Sequence, residues 1–183
     1  MPIRKAKAYS KNKLTHYTRK SRKVKNLNYI KAVPNQKVSK FYMGNTKKHA
    51  RGEFKHFITV STLINCQIRD MALEAARQMI NNQLTKMLME VNYSFVCKPY
   101  PHQVLRENKT FSGGSKGERV QSGMAHSFGT TMYRSAVVKV GSPVFIISFN
   151  DKKFINPVRH LAKSASAKLP CKTKIMFEEI NNK

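Results

Sequence analysis

From about residue 37 onward, apolar and polar positions fall into short alternating runs of strand character and two longer runs of helical period. Val38, Phe41 and Met43 outline a short strand that ends at Gly44. Residues 53–60, EFKHFITV, outline a second, dominated by β-branched and aromatic side chains. Asn65 then caps a helix whose buried stripe runs Ile68, Met71, Ala72, Ala75, Met79, Ile80, Leu84, Met87 and Leu88, at a repeat of about 3.6 residues. Asp70, Glu74, Arg77, Gln78, Asn81 and Thr85 fall on the opposite, solvent side. The methionines of the stripe read as core filling rather than as a metal or cofactor box.

Val91, Tyr93, Phe95 and Cys97 alternate with Asn92 and Ser94, the pattern of a half-buried strand interrupted at its end by Pro99 and Pro101. The run QVLR follows and leads into a polar loop from Glu107 to about Glu118. Residues 134–140 and 143–149 flank Gly141 and Ser142 as the arms of a hairpin. Asn156 caps a second helix with Pro157 in its first turn, where a missing N–H does no harm. Val158, Leu161, Ala162, Ala165 and Leu169 are its buried stripe, Pro170 stops it, and residues 171–177 supply a last strand. The expected fold is therefore α+β: one small domain of two helices packed on antiparallel or mixed strands, occupying residues 37–183.

Charge changes this picture at the N-terminal end. The 183 residues carry 35 Lys and Arg against 9 Asp and Glu, a formal net charge of +26. Residues 1–52 hold 16 of the basic residues and no acidic one. Up to position 32 apolar residues stand mostly alone, too sparse to offset the entropy of ordering. Residues 1–36 thus read as a long basic arm, disordered when free, that folds against a polyanion. Its phosphate-contacting candidates are Arg4, Lys5, Lys7, Arg19, Lys20, Arg22, Lys23 and Lys25, joined beyond the arm by Lys47 and Lys48. Tyr9, Tyr17 and Tyr29 argue against a solvated tail without a role, since aromatic rings among cations stack on bases or pack on sugars.

Other chemistries find little support. No apolar run approaches the ~18 residues of a membrane span, and no apolar segment follows the basic start as in a secretory signal. Cys66, Cys97 and Cys171 are odd in number and far apart, which favours reduced thiols over a disulfide framework. His49 and His56 have no nearby thiol, so no zinc-like spacing arises and no metal site is expected. The stretch SGGSKG at 112–117 is not a phosphate loop, because Gly117 stands where Ser or Thr would hold magnesium. An acid/base pair drawn from His102, Glu107, Glu118 and His126 is conceivable, but nothing in their spacing demands it. No cofactor is expected beyond magnesium as a counterion of RNA. Three readings follow: an RNA-organising structural protein, an RNA-processing enzyme, and a free-standing nucleic-acid packaging protein.

Residues 100–129, YPHQVLRENKTFSGGSKGERVQSGMAHSFG, favour the first. Together with RKAKAYS near the start, YTRK at 17–20, VPNQKVSKFYMGN at 33–45, ALEAARQM at 72–79, AVVKVGSPVFIIS and KLPCKTKI, this stretch resembles the universal large-subunit ribosomal protein family, number sixteen in bacteria and ten-e in archaea and eukaryotes. The wording is of the archaeal or eukaryotic type, with an archaeal flavour, and the resemblance runs in one order along nearly the whole chain. It implies an α+β protein of the cytoplasmic large ribosomal subunit that binds rRNA near the tRNA cleft and peptidyl transferase region. Its implied partners are large-subunit rRNA, the tRNA acceptor region and neighbouring large-subunit proteins, with no membrane.

In the family the loop after VLRENK projects towards tRNA acceptor ends and is mobile in their absence. By resemblance that loop is 107–118 here, with Arg106 at its base and Lys109, Gly113, Gly114 and Lys116 along it. Arg119, Gln121, Gly123, Met124, His126, Phe128 and Gly129 match the family segment that packs on rRNA. Departures from the family pattern are an insertion at 21–28, Ala32–Gln36 in place of Gly-Ile-Pro-x-Pro, Tyr42 where an acidic residue is common, and His126 where a small or basic one is.

Overall fold

The computed structural model describes residues 5–11, 30, 32–107 and 129–180. After a 3-10 turn at Ala6–Tyr9 come strand β1 (Tyr42–Gly44), helix α1 (Thr46–Ala50), β2 (His56–Thr62) and β3 (Cys66–Arg69). Helix α2 (Asp70–Leu88), β4 (Tyr93–Cys97), β5 (Gln103–Glu107), β6 (Thr130–Val138) and β7 (Pro143–Phe149) follow. A second 3-10 turn at Lys152–Phe154 leads into α3 (Ile155–Ser166), and β8 (Thr173–Glu179) ends the described chain. The fold is α+β, as expected, with a short third helix, α1, that no long apolar period announces.

The strands form two antiparallel sheets. A five-stranded sheet has the order β1-β4-β7-β2-β8, and a three-stranded sheet the order β3-β6-β5. Helices α2 and α3 touch each other; α3 lies on β2 and β8, and α2 reaches β3, β4 and β6, so it joins the two sheets. Leu73, Ala76, Ile80 and Leu84 of α2 meet Val158, Ala162 and Ala165 of α3 and Ile58, Phe95, Phe145 and Ile147 of the large sheet in one buried cluster. Burial of this many aliphatic and aromatic groups, at about 25 cal/mol per Å² of apolar surface, is the main favourable contribution to the fold.

Four details depart from the sequence-based expectation. First, residues 66–69 are a strand paired with β6, so the first long helix begins at Asp70 rather than behind Asn65. Arg69 stands at the N-cap without a side-chain cap, the Asp70 carboxylate of the first turn accepts the Met71 N–H at 2.8 Å, and the Asn65 side chain accepts the Val140 N–H at 3.0 Å. The helix is accordingly rotated: Leu73 and Ala76 are buried, Ala75 is exposed, and Asp70 and Arg77 lie inside.

Second, β4 is buried along its whole length, because it runs between β1 and β7 with α1 and α2 beside it. Third, the two strands around Gly141 are not a hairpin, since β6 and β7 belong to different sheets. The turn crosses between sheets and is fastened to the end of β2: Gly141 N–H donates to the Thr62 carbonyl at 2.8 Å, and Thr62 Oγ1 donates to the Lys139 carbonyl at 2.6 Å. Fourth, α3 starts at Ile155 directly from the preceding 3-10 turn without a side-chain cap, so Asn156 is its second residue. Its stripe of Val158, Leu161, Ala162 and Ala165 is buried as read, and Leu169 is buried beyond its end.

Candidate nucleic-acid interface

The three-stranded sheet is where both basic segments of the sequence are rooted. At one edge, the 3-10 turn Ala6–Tyr9 lies against β3. Lys11 bridges to Cys66, Gln67 N–H donates to the Ser10 carbonyl at 3.0 Å, and Gln67 Nε2 donates to the Lys11 carbonyl at 3.0 Å. The buried Arg69 guanidinium lies 5.6 Å from the Tyr9 ring centre and 5.4 Å from that of Tyr133. Two negative ring faces thus hold a cation that burial would otherwise penalise. Lys5 and Lys7 stay exposed beside this anchor.

The chain returns to the same sheet at residues 32–34 and passes on to the start of α2. Thr131 Oγ1 donates to the Ala32 carbonyl at 3.2 Å, and Arg134 Nε donates to the Pro34 carbonyl at 2.6 Å. The Lys37 N–H donates to Asp70 Oδ2 at 3.1 Å, and the Ser39 N–H donates to Glu74 Oε2 at 3.2 Å. Both carboxylates at the start of α2 are therefore spent on backbone N–H groups or on cations of the fold. Burial pushes the Asp70 carboxyl upward, opposed by the N–H groups of Met71 and Lys37. The Arg77 guanidinium, 2.6 Å from Glu74 Oε1, holds the Glu74 carboxyl down to about 2.

At the opposite edge, β5 ends at Glu107 and β6 begins at Thr130, and these two residues are register partners. Arg106 Nη1 donates to the Gly129 carbonyl at 3.1 Å and closes the neck between them. Gly129 has φ +90°, a conformation that L side chains rarely adopt. The segment 108–128 is thus bounded by a fixed pair of strand ends.

Of the candidate contact residues, Lys5, Lys7, Tyr9, Arg106 and Gly129 fall on this one sheet. Lys47 and Lys48 lie apart from it, on α1 beside β4 of the large sheet, where Asn45 Oδ1 caps the helix by accepting the Lys48 N–H at 3.0 Å. Arg4, Tyr17, Arg19, Lys20, Arg22, Lys23, Lys25, Lys109, Gly113, Gly114, Lys116, Arg119, Gln121, Gly123, Met124, His126 and Phe128 lie outside the described residues. The acid/base alternative gains nothing. Glu107 is buried in β5 while His102 is exposed, and Glu118 and His126 lie outside the described residues. Among the described residues no cluster of His, Cys, Asp and Glu could hold a metal ion, and no helix is long and apolar enough to cross a membrane.

Sequence reasoning missed Arg69, Tyr133 and Arg134. Their signal was present only as polar and aromatic residues at strand positions, whose partners lie far away in the chain.

Known proteins resemble this chain over nearly its whole length. The family model described as ribosomal protein L16p/L10e matches residues 13–176. The chain is 35% identical to the large ribosomal subunit protein uL16 of Pyrobaculum neutrophilum over 97% of its own length and 93% of the relative's. It is likewise 35% identical to uL16 of Pyrobaculum aerophilum, over 100% and 96%. Against uL16 of Sulfolobus acidocaldarius the identity is 36%, over 99% and 97%. These relatives are named as proteins of the large ribosomal subunit and not as enzymes, and the match spans both sheets and both long helices: the chain belongs to the ribosomal protein L16p/L10e family.

Proposed function

We propose that this protein binds large-subunit rRNA near the tRNA cleft and peptidyl transferase region and supports the placement of tRNA. As a member of its family it is a structural constituent of the large ribosomal subunit in the cytoplasm and not an enzyme. The finer placement is supported above all by one observation: the arm at 5–11 and 32–34 and the neck of the 107–118 loop share a single three-stranded sheet.

Physically, that sheet acts as a plate from which two basic segments extend. Residues 1–36 supply cations that neutralise phosphate where rRNA strands crowd, and residues 37–183 form the folded body that fixes where the arm leaves and returns. Loop residues Lys109 and Lys116 carry charge towards the tRNA acceptor ends, and the 119–129 stretch, with Arg119 and Gly129, lies against rRNA. Neighbouring large-subunit proteins complete the surroundings.

The experiment is hydroxyl-radical probing from iron tethered at two exposed anchor positions, Lys7→Cys and Thr130→Cys, in reconstituted large subunits. Cleavage of rRNA lining the tRNA cleft from both positions is expected. Cleavage confined to the outer rim of the subunit, or loss of the protein from subunits on a sucrose gradient after a high-salt wash, overturns the placement.

A further inference from the structure

Away from the three-stranded sheet, at the β1 edge of the large sheet, a cleft of about 490 Å³ is lined by Lys40, Phe41, Tyr42, Cys97, Lys98 and Tyr100. Its volume falls within the ~300–1,000 Å³ typical of built ligand sites. We propose that this cleft receives one unstacked nucleotide of the rRNA, its base on the Tyr100 and Tyr42 rings and its phosphate between Lys40 and Lys98. This deepens the RNA-binding reading and rests on it.

Three observations carry the proposal. The first is the aromatic floor. Tyr42 is 62% exposed and Tyr100 is 52% exposed, unusual for large rings in a folded body. Tyr100 is nevertheless held in place. Its ring lies 5.5 Å from that of Phe41 at an interplanar angle of 32°, and its flanking residues Pro99 and Pro101 are both buried. Proline fixes its own φ, and Phe41 packs in turn against the core, so Tyr100 is preorganised before anything binds. A flat, exposed and rigid ring suits a base of any identity, because every base has a π-face.

The second is the placing of charge. In the β1–β4 register Tyr42 faces Val96, and the Cys97 N–H donates to the Phe41 carbonyl at 2.8 Å. Lys40, just before β1, and Lys98, just after β4, both line the cleft. Two like charges on the wall of one cleft repel. Among the described residues no carboxylate forms an ion pair with either lysine. Glu74, which binds Ser39 next in the chain to Lys40, is already engaged by Arg77 and Gln78. An anion between the two lysines relieves the repulsion.

The third is the combination. A protein side chain seated here would use either the rings or the charges, whereas a nucleotide presents a planar face and a phosphate a few ångströms apart and uses both.

The test uses the full-length protein with two probes: a large-subunit rRNA fragment, and a single-stranded hexaribonucleotide carrying a central 2-aminopurine whose fluorescence falls on stacking. Quenching on binding is expected with the unaltered protein and with Tyr100→Phe. Tyr100→Leu keeps apolar bulk without a ring; it should abolish the quench and weaken the hexanucleotide roughly tenfold. Lys98→Gln should weaken it several-fold while leaving the fold intact, since the side chain is exposed. Quenching that persists in Tyr100→Leu, or an unquenched probe while the rRNA fragment still binds, overturns the nucleotide site and leaves the RNA-binding reading standing. Photo-crosslinks from Tyr100 to a neighbouring protein in intact subunits also overturn it. Failure of the unaltered protein to bind the rRNA fragment overturns the underlying reading itself.

Discussion

The guanidinium of Arg69 lies 5.6 Å from the centre of the Tyr9 ring, so the first aromatic residue of the basic arm is held by a cation of the folded body. Tyr9 thereby has a partner within the protein. The contact is of the cation–π kind, with Tyr133 on a second side at 5.4 Å from the same guanidinium. Tyr9→Ala should cost about 1 kcal/mol and free residues 5–11 from β3. Limited trypsin digestion reads this directly, as faster cleavage at Lys7 and Lys11 in the variant. Equal cleavage rates would show that the ring does not hold the arm.

Acid stability should carry the signature of Glu74. Its carboxyl titrates at about 2 in the fold, because of Arg77, against an ordinary value of 4.5. A lowered carboxylate contributes stability that is fully present above the unfolded value and is lost as pH falls from about 4.5 towards 2. Asp70 works in the opposite sense: burial raises it, so its contribution is present below 3.8 and is lost as pH rises through its folded value. The Glu74 change dominates the acid limb. Glu74→Gln should destabilise the protein by about 2 kcal/mol at pH 7 and flatten the loss between pH 4.5 and 2, as followed by urea melts. An unchanged pH profile would contradict the assignment.

Gly44 is fixed by geometry. Its φ is +73°, and a Cβ at this position would collide with the carbonyl oxygen of Tyr93, which also accepts the Asn45 N–H at 2.8 Å. Gly44→Ala should therefore cost about 2–4 kcal/mol through backbone strain and the loss of that close approach. Gly52 has a similar φ of +71° but open space around it, so Gly52→Ala should cost less, about 1 kcal/mol. Comparison of the two melting curves separates collision from conformational strain; equal losses would rule out the collision.

Shortening the loop by removing residues 109–116 should leave the fold intact, because Arg106 and Gly129 close its neck. The expected result is normal incorporation into large subunits with impaired tRNA placement in a reconstituted translation assay. Unimpaired translation would remove the loop from the functional account.

Most of the elements were legible in the sequence because their patterns are local. The α3 stripe and the strand at 143–149 needed only neighbours a few residues away. What escaped depends on distant partners. Asp70 and Arg77 look like solvent-face residues, yet one accepts the Lys37 N–H and the other reaches Met43 Sδ at 3.1 Å. The strand at 66–69 was absorbed into the helix that follows, because Ile68 fits both periods and only pairing with Ala136 decides between them. The apparent hairpin at Gly141 failed for the same reason: a short turn between two apolar runs does not reveal that they join different sheets. Of the interface, the basic arm was visible as composition, whereas the sheet that anchors it was not.

The central claim is that this protein meets rRNA chiefly by neutralising phosphates with the cations of its arm and loop. The most direct measurement is the affinity of the full-length protein for its large-subunit rRNA site between 50 and 200 mM monovalent salt. With about six to ten phosphate contacts, affinity should fall by roughly 10³- to 10⁵-fold, with a shallower slope when Lys5, Lys7 and Lys11 are changed to Gln. An affinity that stays nearly constant over that range would contradict the claim.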